Sequence, residues 1–233
     1  MSKQLFITGT GTDMGKTYVT GLILKKLREN GKNAAYYKVA MSGNDRREDG
    51  SLIPGDALHV KTISGISQPL EEMCPYVYET AVSPHLAAQI EGNPVEMGTA
   101  LKAFDSLCGS YDYVTAEGSG GILCPLRYDD QHIQLEDFIR ARRLGCLIIA
   151  DAGLGTINSV VLTVEYMKAR QIPVKGIIFN HYEPGSRLHE DNRYMCEEMT
   201  GVKVLACVKD GDTELELSLE QLEALYENGC HVI

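Results

Sequence analysis

The sequence is short of positive charge. Its 233 residues carry 22 Lys and Arg against 32 Asp and Glu, a formal net charge of −10. An acidic surface repels phosphodiester backbones and anionic lipid, so neither nucleic acid nor a membrane surface is expected as a partner. Any basic group at a site for a phosphorylated ligand must therefore be locally placed. No apolar run reaches the roughly 18 residues that a membrane-spanning helix needs, and Met1 to Thr8 lacks the apolar core and cleavage site of a secretory signal. The 7 cysteines, Cys74, Cys108, Cys124, Cys146, Cys196, Cys207 and Cys230, are odd in number and scattered, with no C-x-x-C. That argues against a disulfide framework or zinc site and fits free thiols in a reducing cytoplasm, most of them acting as small apolar residues. No nucleophile-elbow or Cys–His spacing occurs, and the 6 histidines are scattered, so no metal reading rests on them.

Apolar residues make up 44% of the chain, enough to offset chain entropy and exclude disorder as the dominant state. Length alone allows one large or two small domains. No repeat, low-complexity tract or linker divides the chain, so one domain over residues 1–233 is expected. Short β-rich runs, Gln4–Thr8, Ala34–Tyr37, Tyr111–Ala116, Cys146–Ala150, Val174–Phe179 and Val202–Val208, are nearly continuous in apolar residues, as strands are when both faces of a parallel sheet are buried. Amphipathic segments lie between them: Thr17–Glu29, a helix opened by Ser83-Pro84 and running towards Glu91-Gly92, Thr156–Arg170, Leu188–Met199 and Leu217–Glu227. The alternation predicts an α/β protein with a mostly parallel β-sheet flanked by helices, and ligands beyond the carboxyl ends of its strands.

The first strand runs into Gly9-Thr10-Gly11-Thr12-Asp13-Met14-Gly15-Lys16-Thr17, and a helix follows at once. Glycines let several backbone N–H groups face one point, and the helix N-terminus adds partial positive charge there. Lys16 can reach the outer phosphates of a nucleotide, and the Thr17 hydroxyl can ligate Mg²⁺. The match to the usual phosphate loop is not literal, because five residues instead of four separate Gly9 from Gly15-Lys16-Thr17. Lys38, at the end of the second strand, is either a second charge at this site or a surface lysine. Asp56 is either the N-cap of a short helix or an acidic ligand. Glu117, after the strand Tyr111–Ala116 and opening Gly118-Ser119-Gly120-Gly121, has the position of a Mg²⁺ ligand in a phosphate-loop enzyme, with Asp151 as a rival.

These segments, with Ser42-Gly43, Gly55-Asp56-Ala57-Leu58, Ser83-Pro84-His85, Gly153-Leu154-Gly155-Thr156-Ile157-Asn158 and Pro184-Gly185-Ser186-Arg187, are collinear up to about residue 190 with the dethiobiotin synthetase family, which the chain resembles. The lengthened phosphate loop is that family's own form. The resemblance implies a P-loop NTPase-like fold and a cytoplasmic homodimer with the substrate near the interface. The implied reaction uses ATP, Mg²⁺ and CO₂ to close 7,8-diaminononanoate into dethiobiotin, through a carbamate and a carbamic–phosphoric anhydride. It implies Lys16 on the β/γ-phosphates, Thr17, Asp56 and Glu117 on the metal, and Asp13, Met14, Gly15, Tyr18, Gly118, Ser119 and Gly120 along the nucleotide. Thr12, Lys38 and Ser42 would hold the carbamate and the transferring phosphoryl group and, with Lys16, form the catalytic set. Ser83 and the Glu117–Gly121 loop would lie against the diamine, and Gly155, Thr156 and Asn158 would contact substrate or its carboxylate across the interface. Tyr194 would meet the substrate carboxylate, and Asn180 would read the adenine edge. Two features depart from the family pattern: Val39 replaces the proline after Lys38, and Ala206–Gly211 replaces an adenine-holding Gly-x-Ile-Pro. The alternatives are another nucleotide-dependent ATPase, a nucleotide-switched binding protein or a re-purposed relative. A partitioning ATPase would carry a lysine early in the phosphate loop, and Gly9 to Met14 has none.

Overall fold

Side chains of successive strand residues point to opposite faces, and the first strand uses both. In the computed structural model, which describes residues 2–229 and so leaves Cys230 outside the described residues, the chain runs β1 (Lys3–Gly9), α1 (Lys16–Glu29), β2 (Ala34–Lys38), β3 (Ala40–Met41), α2 (Gly55–Ser64), β4 (Tyr76–Val77), α3 (Pro84–Glu91), α4 (Met97–Ser110), β5 (Tyr113–Gly121), β6 (Pro125–Tyr128) and β7 (His132–Gln134). It continues through α5 (Leu135–Arg142), β8 (Cys146–Asp151), α6 (Thr156–Ala169), β9 (Val174–Asn180), α7 (Arg187–Thr200), β10 (Val204–Cys207), α8 (Leu219–Leu225) and β11 (Glu227–Asn228). From β1, Leu5 and Ile7 enter a layer with Val19 and Ile23 of α1, Val60 of α2 and Leu222 of α8. Phe6 enters the opposite layer with Phe104 of α4, Phe138 of α5 and Val160 and Val164 of α6.

The main sheet has the order β10-β9-β8-β1-β5-β2, and every pairing along that path is parallel. β11 lies antiparallel to Lys3 and Gln4 of β1, beside the stretch that precedes Phe6, where pairing with β8 begins. The six expected strands and the expected α/β class are present, with shifted ends. The strand expected to stop at Ala116 continues through Glu117 to Gly121, because Gly121 pairs with Gly9 across the sheet. Its glycine-rich end is thus bulged strand instead of loop, with Gly120 at a left-handed φ of 66°. The strand expected over Val202–Val208 is shorter, and the helix expected over Leu217–Glu227 gives up Glu227 to β11. Asp56 is not an N-cap: Pro54 holds that position and Asp56 lies in the first turn of α2. Helices α4 and α5 and the small ribbons β3-β4 and β6-β7 were not expected.

Among the described residues no helix is long and apolar enough to cross a membrane. Their six cysteines are free. Burial pushes the Cys74 thiol up to about 12 and the Cys108 and Cys124 thiols up to about 11, which suits inert packing residues.

Candidate active site

The carboxyl ends of β1, β2 and β5 lie side by side, and the loop after β1 crosses in front of them. Asp13 and Gly15 adopt left-handed backbone conformations, with φ of 60° and 81°. A Cβ on Gly15 would fall 2.0 Å from Asn180 Nδ2, so only glycine fits where the loop passes the end of β9. Helix α1 starts at the next residue, and its unpaired first N–H groups make that end a natural anion site. Lys16 folds back over the loop, and its ammonium donates to the Gly11 carbonyl at 2.9 Å. Burial, reinforced by the Lys38 ammonium, holds Lys16 below the ordinary lysine range.

Behind the loop, two carboxylates and two donors interlock. The Thr17 hydroxyl lies 3.0 Å from Glu117 Oε1 and 3.4 Å from Asp56 Oδ1. Lys38 Nζ donates to Asp56 Oδ2 at 2.6 Å and to Glu117 Oε1 at 2.8 Å. Lys38 is buried, which rules out the surface-lysine alternative. Burial disfavours its charge, but Glu117 and Asp56 outweigh that and hold its pKa above the ordinary value. Burial likewise opposes the Asp56 carboxylate, yet the Lys38 ammonium holds it below the usual range. The Glu117 side chain is fully buried. Its Oε1 receives both donors, while Oε2 is buried with no hydrogen-bond partner among the described residues. Asp151, the rival acid, spends Oδ1 on the Gly153 N–H at 2.6 Å and does not line the cleft.

The cleft encloses about 490 Å³ and brings together Thr12, Asp13, Gly15, Lys16, Thr17, Tyr18, Lys38, Ser42, Asp56, Glu117, Ser119 and Gly120. Other residues expected at the site lie around it. Asn180 Nδ2 donates to the Met14 carbonyl at 3.4 Å, which ties β9 to the loop. Gly118 is a packing position: a Cβ there would meet Leu135 at 2.7 Å and Phe6 at 3.2 Å. The Ser42 hydroxyl donates to the Val82 carbonyl and draws the turn with Ser83 towards the cleft. Gly155 caps α6, Thr156 is buried, Asn158 is exposed, and Tyr194 stands exposed on α7. None of these four lines the cleft. Met41 and His59 do line it, and the sequence reading did not name them. Nor did it name Asn44, whose amide donates to the Met41 and Tyr78 carbonyls at 3.0 and 2.8 Å and accepts from Gly55 N–H at 2.8 Å. Asn44 thereby sets the start of α2 and with it Asp56. No spacing rule flags a lone asparagine of this kind.

A strand–loop–helix unit with lysine and threonine at the helix start, facing two carboxylates on neighbouring elements, defines a phosphate-loop nucleotide-binding α/β protein. A family model described as an AAA domain matches residues 3–213. An ATP-dependent dethiobiotin synthetase of Brachyspira hyodysenteriae is 49% identical over 228 residues, covering 97% of this chain and 100% of that protein. A synthetase of the same name from Clostridium botulinum is 44% identical over 227 residues, covering 97% of this chain and 99% of that protein. The chain belongs to the dethiobiotin synthetase family. Solved structures share the fold at low identity. A ParA family ATPase of Chlorobium tepidum has a TM-score of 0.57 at 12% identity, covering 91% of this chain and 86% of that one. A MinC:MinD cell division complex of Aquifex aeolicus has a TM-score of 0.56 at 11% identity, covering 96% and 86%.

Proposed function

We propose that the chain catalyses the ATP-dependent carboxylation and ring closure of 7,8-diaminononanoate to dethiobiotin, in the cytoplasm. The observation that carries the reading is the cluster of Thr17, Lys38, Asp56 and Glu117 beside the phosphate loop, in a chain whose relatives bear that name. One amine of the diamine takes up CO₂ as a carbamate. A carbamate oxygen attacks the γ-phosphorus and ADP leaves. The second amine attacks the carbonyl carbon of the mixed anhydride, the ring closes and phosphate leaves.

Each step asks for positioned positive charge more than for a proton-transfer residue. The α1 N-terminus and Lys16 take the β- and γ-phosphate oxygens. Thr12, Ser42 and Lys38 hold the carbamate and the phosphoryl group in line, and Lys38 gathers negative charge where one anion approaches another. Thr17, Asp56 and Glu117 suit Mg²⁺: their donors are all oxygens, and the partnerless Glu117 Oε2 is a buried acceptor. When bound, Mg²⁺ supplies charge that neutralises the phosphate oxygens. Asn180, fixed beside Met14, reads the adenine edge, since an amide offers both donor and acceptor.

The reading includes one domain over residues 1–233 and a homodimer. Leu154, Leu162, Leu188 and Tyr194 are exposed apolar groups on α6, α7 and the loop before α6. The same elements carry Gly155, Thr156 and Asn158, which supports a substrate bound near a subunit boundary with Ser83 on its diamine side. Phosphate release assayed with and without diamine and bicarbonate tests the function. Release should depend on both, because the nucleophile is the carbamate. Equal release without them would remove the synthetase reading.

A further inference from the structure

Tyr36 takes no part in the reaction above and does not line the cleft, yet its setting is unusual. It is fully buried, and its hydroxyl has no hydrogen-bond partner among the described residues. The backbone around it is held firmly. On one side β2 pairs with β5. On the other, the buried Gln68 amide closes both Tyr36 backbone groups, accepting from its N–H at 2.7 Å and donating to its carbonyl at 3.0 Å. Tyr36 and Lys38, two residues apart, share a face of β2. Their β5 partners are Thr115 and Glu117. Thr115 is already engaged with the Tyr226 hydroxyl at 2.6 Å. Glu117, two residues beyond Thr115 on the same face of β5, lies diagonally across from Tyr36.

Two orphaned buried atoms on neighbouring strands, one a donor and one an acceptor, answer each other. Both bonds that Glu117 receives fall on Oε1, which leaves its rotation about the carboxylate axis controlled from one side. We propose that the Tyr36 hydroxyl donates to Glu117 Oε2, directly or through one buried water, and so fixes the carboxylate orientation presented to Mg²⁺. Tyr36 is a positioning residue in this role and touches neither substrate nor nucleotide. The proposal rests on the assignment of Glu117 as a metal carboxylate. Its physical basis is that partners behind a ligating carboxylate fix its orientation, and their loss typically weakens metal binding about 10- to 100-fold.

Tyr36→Phe in the full chain tests it, since the ring's packing is kept and only the hydroxyl goes. Calorimetric melting in EDTA comes first, for wild type, Tyr36→Phe, Glu117→Met and the double variant. If the contact exists, Tyr36→Phe lowers Tm with Glu117 present and has little effect in the Glu117→Met background. A partnerless buried hydroxyl predicts the opposite, a Tyr36→Phe variant as stable as wild type or more so, and that result overturns the contact. Next, Mn²⁺ affinity is read by electron paramagnetic resonance with β,γ-methylene-ATP bound. Tyr36→Phe should weaken it about 10-fold, while analogue binding in EDTA stays within about twofold. A melting coupling with Mn²⁺ affinity unchanged overturns the positioning role. If Glu117→Gln also leaves Mn²⁺ affinity unchanged, the fault lies in the metal assignment of Glu117 instead.

Discussion

Replacing Lys38 by methionine separates its charge pairing from its proposed part in turnover, and the structure sets the size of the first. The methionine keeps most of the apolar stem and removes the ammonium. What remains is Glu117, whose side chain is fully buried, and Asp56, whose side chain is 41% exposed. Breaking a buried ion pair by deleting one partner costs about 3–5 kcal/mol. Asp56 can turn part of its charge to water, so its share is discounted for solvent screening. The low end, about 3 kcal/mol, is the expected loss. For a chain of this length 1 kcal/mol shifts Tm by about 2–4 °C, so melting in EDTA should fall by about 6–12 °C. Lys16→Met is the control. Among the described residues its ammonium has only the Gly11 carbonyl as a hydrogen-bond partner and is disfavoured by burial and by Lys38, so its loss should leave Tm unchanged or raise it. Mg²⁺ then discriminates further. If Thr17, Asp56 and Glu117 hold the cation, Mg²⁺ at about 100 times the wild-type dissociation constant returns about 2.7 kcal/mol to wild type and more to Lys38→Met at the same concentration, because no ammonium competes for the carboxylates. Both lysine variants should lose turnover. A Lys38→Met protein melting within about 1 °C of wild type would overturn the pairing assigned to Lys38. A deficit that Mg²⁺ does not reduce would overturn the metal assignment instead.

Other expectations follow from the same geometry. Lys16→Ala should cost about 3 kcal/mol or more in the transition state, over 100-fold in kcat, in a protein that melts normally; steady-state kinetics on the folded variant checks it. Gly15→Ala must place a methyl 2.0 Å from Asn180 Nδ2 at φ 81°, so nucleotide titration should show binding lost or severely weakened. Asn44→Ala leaves the Gly55 N–H and two carbonyls without their side-chain partner, with an expected loss of about 1–3 kcal/mol and weaker Mg²⁺ binding through a displaced Asp56. Because the folded Asp56 pKa lies below its unfolded value, its contribution is complete above about pH 4 and fades as pH falls through the folded pKa. In Lys38→Met nothing offsets the burial of Asp56, so its folded pKa rises and its acid loss should shrink or reverse: chemical denaturation between about pH 3 and 6 should show the stability deficit of Lys38→Met against wild type narrowing as pH falls.

The parallel core was readable from the sequence because both its faces are buried. Runs such as Cys146–Ala150 carry no polar residue to mislead, and the structure buries all five. The phosphate loop was readable because its chemistry is local, with Gly15, Lys16 and Thr17 adjacent in the chain. What escaped depends on distant contacts. Composition could not extend β5 through a glycine-rich stretch, since the pairing of Gly121 with Gly9 is what makes that stretch a strand. Lys38 and Asp56 each had a plain reading, surface charge and helix cap, while considered alone. They became a pair only when β2, α2 and β5 met, with Glu117 as the third member. Asn44, Gln68 and Tyr36 belong to the same category. Each is an unremarkable residue whose importance lies in which buried backbone or carboxylate group it faces. An acidic residue at a strand end can be picked out from one sequence, but the groups that hold Glu117 come from segments dozens of residues away. Function was therefore legible here before the machinery that tunes it.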